Sequence, residues 1–225
     1  MGRLAREGQF TMIIGGGTRE RQPDPGMGED RVVAFNSTYH FDSKGEVQGR
    51  YDKIIPLPFG EYMPLSEQFP HLWDWLEGPG SFRAGKVAVV FDTELGRIST
   101  PICYEAILGR LCRRFEQPDV LVNVTNDAWF GDTAATHQHG MLASLRAVEL
   151  GIPLVRSAYT GTSFIAEPHG HIYAQTEDFQ SVQRIVEVRK GNLPTLYARF
   201  GNWFLIVCVL GLFGLLSRPK KKRFR

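Results

Sequence analysis

Three stretches of the chain carry side chains whose types and spacing could do chemistry together. The first reads PICYE, residues 101 to 105, and sets Cys103 between the apolar run RISTPI and the helically spaced EAILGRLC. A thiol at a strand-to-helix junction projects at the edge of a sheet, and a helix N-terminus beside it favours the thiolate. This is the logic of a nucleophile elbow, reached without the elbow's glycine signature. The same residues also suit a strand-end cysteine that acts as a small hydrophobe. The second stretch, GRYDKIIPLPFGEYMP, spans residues 49 to 64 and places Lys53 eight positions before Glu61 in a loop stiffened by three prolines. A stiff loop can hold charge without a helix. A fixed ammonium there would stabilise a thiolate and a developing oxyanion, whereas surface exposure is the common fate of both residue types. The third stretch, NVTNDAWFGDTAATHQH, spans residues 123 to 139 and runs from a strand into a polar loop with Trp129 and Phe130. Aromatic residues in a loop after a strand line pockets.

Two tempting motifs are weaker. His137 and His139 are two residues apart, so they do not share a helix face, and no acidic partner stands at ligand spacing. No metal is expected, and no cofactor either. Gly15 to Gly17 are not followed by the G-K-[ST] of a phosphate loop, and are expected to let a strand end turn tightly.

These residues need a scaffold. FTMIIGGG, RVVAFNSTYHFD and VQGRYDK read as strands separated by turn signals, and KVAVVFDTELGRISTPICYE reads as two strands around a Glu-Leu-Gly turn. AILGRLCRRFEQ has helical spacing through Ile107, Leu111 and Phe115. DVLVNVTN is a strand. HQHGMLASLRAVELG is a helix with Met141, Leu145 and Val148 on one face and Gly151 as its stop. IPLVRSA, GTSFIAEPHGHIYA and VQRIVEVR are further strands. The alternation predicts an α/β chain with a packed sheet.

Composition narrows the class. Hydrophobic residues make up 43% and charged ones 22% of the 225 residues, which suits a folded chain rather than a disordered one. Six of the 26 basic residues sit in the tail RPKKKRFR, and without them 20 basic residues face 24 acidic ones. A mildly acidic body argues against nucleic acid as a partner. Cys103, Cys112 and Cys208 show neither a disulfide framework nor zinc spacing. From Phe200 to Ser217 the chain is free of charge, with Trp203 near one end and the basic cluster at the other. A bilayer core takes about 20 apolar residues, so a single transmembrane helix is expected over 195–217, between a body at 1–194 and a cytoplasmic tail at 218–225. No apolar signal-peptide core opens the chain.

In order, YDKIIPLPFGEYMP, PICYEAILG, NVTNDAWFGDTAATHQH and RAVELGIPLVRSAYTGTSFIAEPHG resemble the C-terminal part of the apolipoprotein N-acyltransferase family, a membrane-embedded branch of the nitrilase (carbon–nitrogen hydrolase) superfamily. The FGEYMP and NDAWFGD blocks set that branch apart from soluble nitrilases and amidases. The resemblance implies a nitrilase-like αββα sandwich, here N-terminally incomplete, and a Glu-Lys-Cys triad. It implies Cys103 as nucleophile, Lys53 as the triad lysine, Glu61 as a further essential glutamate of the lysine loop, and Tyr104 and Glu105 as the pair that follows the nucleophile. Trp129 is expected to support the site. The implied chemistry is ping-pong: a phospholipid acyl chain passes to Cys103 as a thioester and then to the amino group of a lipoprotein's diacylglyceryl-cysteine. The implied location is the bacterial inner membrane with the catalytic domain periplasmic. The family's glutamate base lies upstream of the strand matching FTMIIGG, and no residue here matches it. The chain is therefore expected to be a fragment, inactive or nearly so without a missing N-terminal portion or a complementing chain. The alternatives are a membrane-anchored carbon–nitrogen hydrolase (amidase) and an inactive membrane-tethered remnant.

Overall fold

A computed structural model of the chain describes residues 1–23, 30–65, 68–69, 82–191 and 193–217. The β-branched and aromatic runs near the N-terminus pair as an antiparallel sheet of β1 (Met12–Pro23), β2 (Asp30–Phe41) and β3 (Val47–Asp52), in that order. A short helix, α1 (Gly2–Gly8), precedes it. Gly15 to Gly17 do not end β1. They lie within the strand, opposite Thr38, Ser37 and Asn36. The ladder holds their backbone, so the freedom of glycine is not spent on a turn. What the glycines supply is room: a Cβ at Gly16 or Gly17 would meet nothing within 4 Å.

The second sheet has six strands in sequence order: β4 (Val90–Thr93), β5 (Gly96–Ser99), β6 (Val120–Asn126), β7 (Leu154–Tyr159), β8 (Phe164–Ala166) and β9 (Ile172–Tyr173). β5, β6 and β7 run parallel and the outer pairs run antiparallel. Parallel neighbours need crossovers. A 3₁₀ turn (Cys103–Ile107) with α2 (Gly109–Cys112) supplies one, and α3 (Ala134–Leu150) supplies the other. The helical spacing through Phe115 thus overstates the helix, which ends at Cys112, although Phe115 itself is buried.

The two sheets pack face to face. Thr38 Oγ1 meets Thr100 Oγ1 at 2.5 Å, and the Cα of Gly49 lies so near Phe91 that a Cβ would stand 2.9 Å from its ring. Tyr51, Phe91, Ile102 and Phe115 form one core cluster. Leu121, Ala147, Ile152, Leu154, Phe164 and Ala166 form a second, where α3 covers the six-stranded sheet. Helix on sheet on sheet is the nitrilase-like α/β order.

The face that α3 buries is not the expected one. Thr136, His139, Gly140, Ala143, Arg146 and Ala147 turn inward, while Met141, Leu145 and Val148 are 68%, 48% and 44% exposed. Small residues win the inner face because the helix lies close to the strands: a Cβ at Gly140 would already be 3.2 Å from the Phe164 ring. The polar inner residues are recruited by a charged group beneath them, described below.

Two C-terminal expectations are corrected. Residues 182–189, read as the strand VQRIVEVR, pair with no strand and leave Ile185 fully exposed. The single membrane helix over 195–217 is broken into α4 (Leu196–Phe200) and α5 (Trp203–Leu216). The break is Gly201, whose φ of 63° ends α4 and whose missing Cβ leaves space for the Arg113 guanidinium. α5 has 14 residues, about 21 Å at 1.5 Å per residue. Among the described residues no helix is long and apolar enough to cross a membrane. The basic tail, 218–225, lies outside the described residues.

Gly151 generates a test of this frame. It closes α3 with φ 70°, and a Cβ there would stand 2.0 Å from the Leu193 carbonyl oxygen. Gly151→Ala should destabilise the chain by about 1–3 kcal/mol, read as a lower urea midpoint. An unchanged midpoint would show that the 151–193 contact carries no strain.

Candidate active site

Cys103 opens the 3₁₀ turn directly after Ile102, which bridges to Val124 of β6. Its φ is 50°, in the left-handed region that a side-chain-bearing residue adopts only when its surroundings impose it. The elbow expected at a strand-to-helix junction is therefore present, and its backbone is strained. The helix is not as expected. Five residues of 3₁₀ turn and four of α2 give too little length for a helix dipole of ordinary strength.

The surroundings that impose the turn are polar and buried. The fully buried carboxylate of Glu105 accepts four hydrogen bonds. Oε1 takes the backbone N–H of Ile54 and of Ile55, at 2.7 and 3.0 Å. Oε2 takes the Tyr51 hydroxyl and the Ile102 N–H, both at 2.9 Å. The last of these is a side chain reaching back to the start of its own turn, as in one half of a capping box. Burial raises the pKa of Glu105 above the usual carboxylate range, and the four donors pull the other way. Burial likewise raises Tyr51. One carboxylate thus ties the end of β3 and the start of the lysine loop to the Cys103 turn.

Lys53, directly before the two loop N–H groups that Glu105 holds, is itself buried. Its Nζ donates to Glu61 Oε2 at 2.5 Å. Glu61 also accepts from Leu57 N at 2.6 Å and from Asn36 Nδ2 at 2.6 Å, so both its oxygens are engaged. The loop bends back on itself through these bonds, which explains the value of its prolines: a pre-stiffened segment loses less entropy on being held.

Cys103 and Glu61 line one cavity of about 660 Å³. Its wall includes Ile14, Gly15 to Gly17, Ile102, Val124, Trp129 and Tyr159. The glycines of β1 thus make an open floor. Trp129 sits on a second 3₁₀ turn (Ala128–Phe130), 63% exposed, at the cavity. Tyr104 is half-buried on the Cys103 turn and is not part of the cavity lining. Glu61 is the one carboxylate among the described lining residues. Cys112 is a different kind of thiol: burial pushes it up to about 12.

The sequence reading missed a network on the other face of β6. Alternation along NVTND puts Asn123, Thr125 and Asp127 on one side, toward α3. Arg156 of β7, fully buried, donates from Nη1 to Asn123 Oδ1 at 2.6 Å and from Nη2 to Asp127 Oδ2 at 2.5 Å. Asp127 Oδ1 accepts from Thr125 Oγ1 at 2.9 Å and pairs with His139 Nδ1 at 3.0 Å. Burial would raise the Asp127 carboxyl, but the His139 hydrogen bond and the Arg156 charge hold it below the usual range. Burial lowers the pKa of Arg156, against the pull of Asp127. His139 is therefore a core histidine, with Phe130 edge-on at 5.6 Å, while His137 pairs with Asp178 at 3.2 Å. Among the described residues no group of His, Cys, Asp and Glu could hold a metal. The signal that could have revealed the network was the strict period of two in NVTND, which places three polar side chains on one face of a central strand.

Known proteins bear on this geometry. Apolipoprotein N-acyltransferase of Geobacter metallireducens is 39% identical over 210 residues, covering 92% of this chain and 39% of that protein. The enzymes of the same name from Rhizobium rhizogenes and Brucella melitensis are 34% and 40% identical over 92% and 76% of the chain. The chain thus spans about two fifths of the length of these relatives, or less: 39%, 39% and 32%. A carbon–nitrogen hydrolase from Helicobacter pylori superposes with a TM-score of 0.59 at 17% identity, over 80% of this chain and 62% of that one. A variant of an amidase of the nitrilase superfamily from Nesterenkonia sp. AN1 gives 0.58 at 16% identity, over 92% and 71%. At such identities these structures establish the fold alone.

The geometry makes Glu105 the residue whose charge state matters to folding. Glu105→Gln would point an amide N–H₂ at donors that need an acceptor, and should cost about 2–4 kcal/mol, read by urea unfolding. A loss under about 0.5 kcal/mol would mean that the four bonds are not all formed. The α/β frame, the lysine loop and the strained cysteine turn fall within residues 1–192, which match the carbon–nitrogen hydrolase family, and the chain belongs to that family.

Proposed function

We propose that this chain carries the thiol half of an N-acyltransferase site and that Cys103 is its nucleophile. The observation that carries the reading is the strained Cys103 in the lining of a cavity that Glu61 also lines, Glu61 being itself bonded to the buried Lys53. The relatives named apolipoprotein N-acyltransferase supply the substrate class. In the first half-reaction the Cys103 thiolate attacks a phospholipid acyl carbonyl. The carbon–oxygen bond breaks, the lysophospholipid alkoxide takes a proton, and a thioester remains. In the second, the α-amine of a diacylglyceryl-cysteine attacks the thioester. The carbon–sulfur bond breaks, an amide forms, and the amine's proton leaves with the thiol or solvent. Lys53 would supply positive charge for the oxyanion in both halves, and Glu61 would hold that lysine in place. The open glycine floor and apolar wall of the cavity suit an acyl chain, and the apolar α5, exposed along its whole length, suits contact with lipid at the bacterial inner membrane.

Proton removal from Cys103 is the weak step. Glu61, the one carboxylate among the described lining residues, is engaged by Lys53, Leu57 and Asn36, so it is not free to act as base. General acid–base help is worth about 10²- to 10⁴-fold. With an acyl 4-nitrophenyl ester, whose leaving group needs no protonation, the chain should gain one acyl mass on Cys103. With phospholipid vesicles the same adduct should form about 10²- to 10⁴-fold more slowly. Intact-mass and peptide mass spectrometry check both arms. Acylation that persists in Cys103→Ala would remove Cys103 from the role, and rapid turnover of small amides without lipid would favour an amidase instead.

Lys53→Met should slow acylation by the activated ester by about 10²-fold or more. It also leaves Glu61 charged without its cation, so the loss is compared with Glu61→Gln/Lys53→Met, which restores neutrality. If the double variant acylates at the wild-type rate, Lys53 acts on stability and not on the reacting carbonyl.

A further inference from the structure

Of the five side chains in the network around Arg156 only Thr125 lines the cavity, yet the network reaches the nucleophile from behind. Asn123 Nδ2 donates to the Pro101 carbonyl at 2.8 Å and to the Cys103 carbonyl at 3.2 Å. These two carbonyls bracket Ile102, and the second belongs to the strained residue itself. The amide of Asn123 could in principle lie either way round. Arg156 decides which: its Nη1 donates to Asn123 Oδ1 at 2.6 Å, so a flipped amide would set N–H₂ against a guanidinium donor and leave two carbonyls facing an oxygen. Asp127 balances the guanidinium charge, and His139 and Thr125 fix Asp127. All five side chains are buried. The far end of the same turn is held by α3, where Arg146 donates to the Ile107 carbonyl.

We propose that Asn123 and Arg156 are positioning residues: the guanidinium orients the amide, and the amide clamps the carbonyls of Pro101 and Cys103, holding the nucleophile in its left-handed conformation with Sγ toward the cavity. Neither residue contacts the reacting atoms. A buried ion pair on the α3 side of the sheet thereby sets the aim of a thiol on the opposite side. The inference rests on Cys103 as the nucleophile. Its test contains no acyl donor, so its failure is separate from a failure of acyl transfer.

The test is thiol alkylation of the full chain in detergent micelles by iodoacetamide, with peptide mass spectrometry reporting Cys103 against the exposed Cys208 as an internal standard. Asn123→Asp keeps an acceptor for Arg156 but has no donor for the two carbonyls. A role confined to holding Arg156 leaves its Cys103:Cys208 rate ratio at the wild-type value. The clamp predicts a change of about 10-fold or more, with a similar change in Arg156→Lys, which lacks the fork. The double variant should be no worse than the worse single one, because the two residues act as a unit. An Asn123→Asp ratio equal to wild type overturns the proposal. Should the variants not fold, the wild-type chain decides: side-chain amide protons of Asn123 held by two carbonyls exchange with water far more slowly than those of the exposed Asn202, and equally fast exchange overturns the clamp.

Discussion

The structure hangs on a carboxylate that has no water. Glu105 collects its four donors from two separated pieces of chain: the end of β3 running into the first residues of the lysine loop, and the residue before Cys103. An ionised group in such surroundings is tolerable only when its lone pairs are filled. The chain is thus obliged to bring Tyr51, Ile54, Ile55 and Ile102 to one point. Once they are there, Lys53 is carried in between Tyr51 and Ile54, and its buried ammonium must in turn find Glu61. The lysine loop and the cysteine turn are parts of one polar knot, and neither can be placed without the other.

A second knot lies across the sheet. Arg156, Asp127, His139, Thr125 and Asn123 form a buried charged cluster between β6, β7 and α3, linked through hydrogen bonds. It dictates that α3 turn its polar and small residues inward, which is why Met141, Leu145 and Val148 end outside. Between the two knots stands the turn at Cys103, pulled from one side by Glu105 and from the other by Asn123. A left-handed backbone at a bulky residue costs on the order of 1–3 kcal/mol, and that strain is sustained because both flanks of the turn are pinned.

The cavity follows from what these clamps leave empty. β1 contributes three glycines to the same lining as the cysteine, and a Cβ at Gly16 or Gly17 would meet nothing within 4 Å. On the far side Trp129 and Tyr159 close the wall. The C-terminal α5 presents apolar side chains on all sides, a surface that water does not stabilise.

Much of this was legible in the order of residues. The joining of the lysine loop to PICYE was legible only through the family resemblance, whereas the strand at NVTND, the turn at Glu-Leu-Gly and the Gly151 stop of α3 follow from local rules: period two and a glycine with φ above zero. Those rules act between neighbours, so one chain carries them without help. Three matters were decided only in three dimensions. Glycines 15 to 17 read as a turn because nothing local reveals that β2 pairs with them. The inner face of α3 read as its apolar row because the charge that reverses it, Arg156, is distant in sequence. The C-terminal apolar run read as one helix because the break at Gly201 accommodates the guanidinium of Arg113, a residue far away in the chain. In each case the deciding partner is non-local, and hydropathy records what a residue prefers, not which partner the fold brings to it.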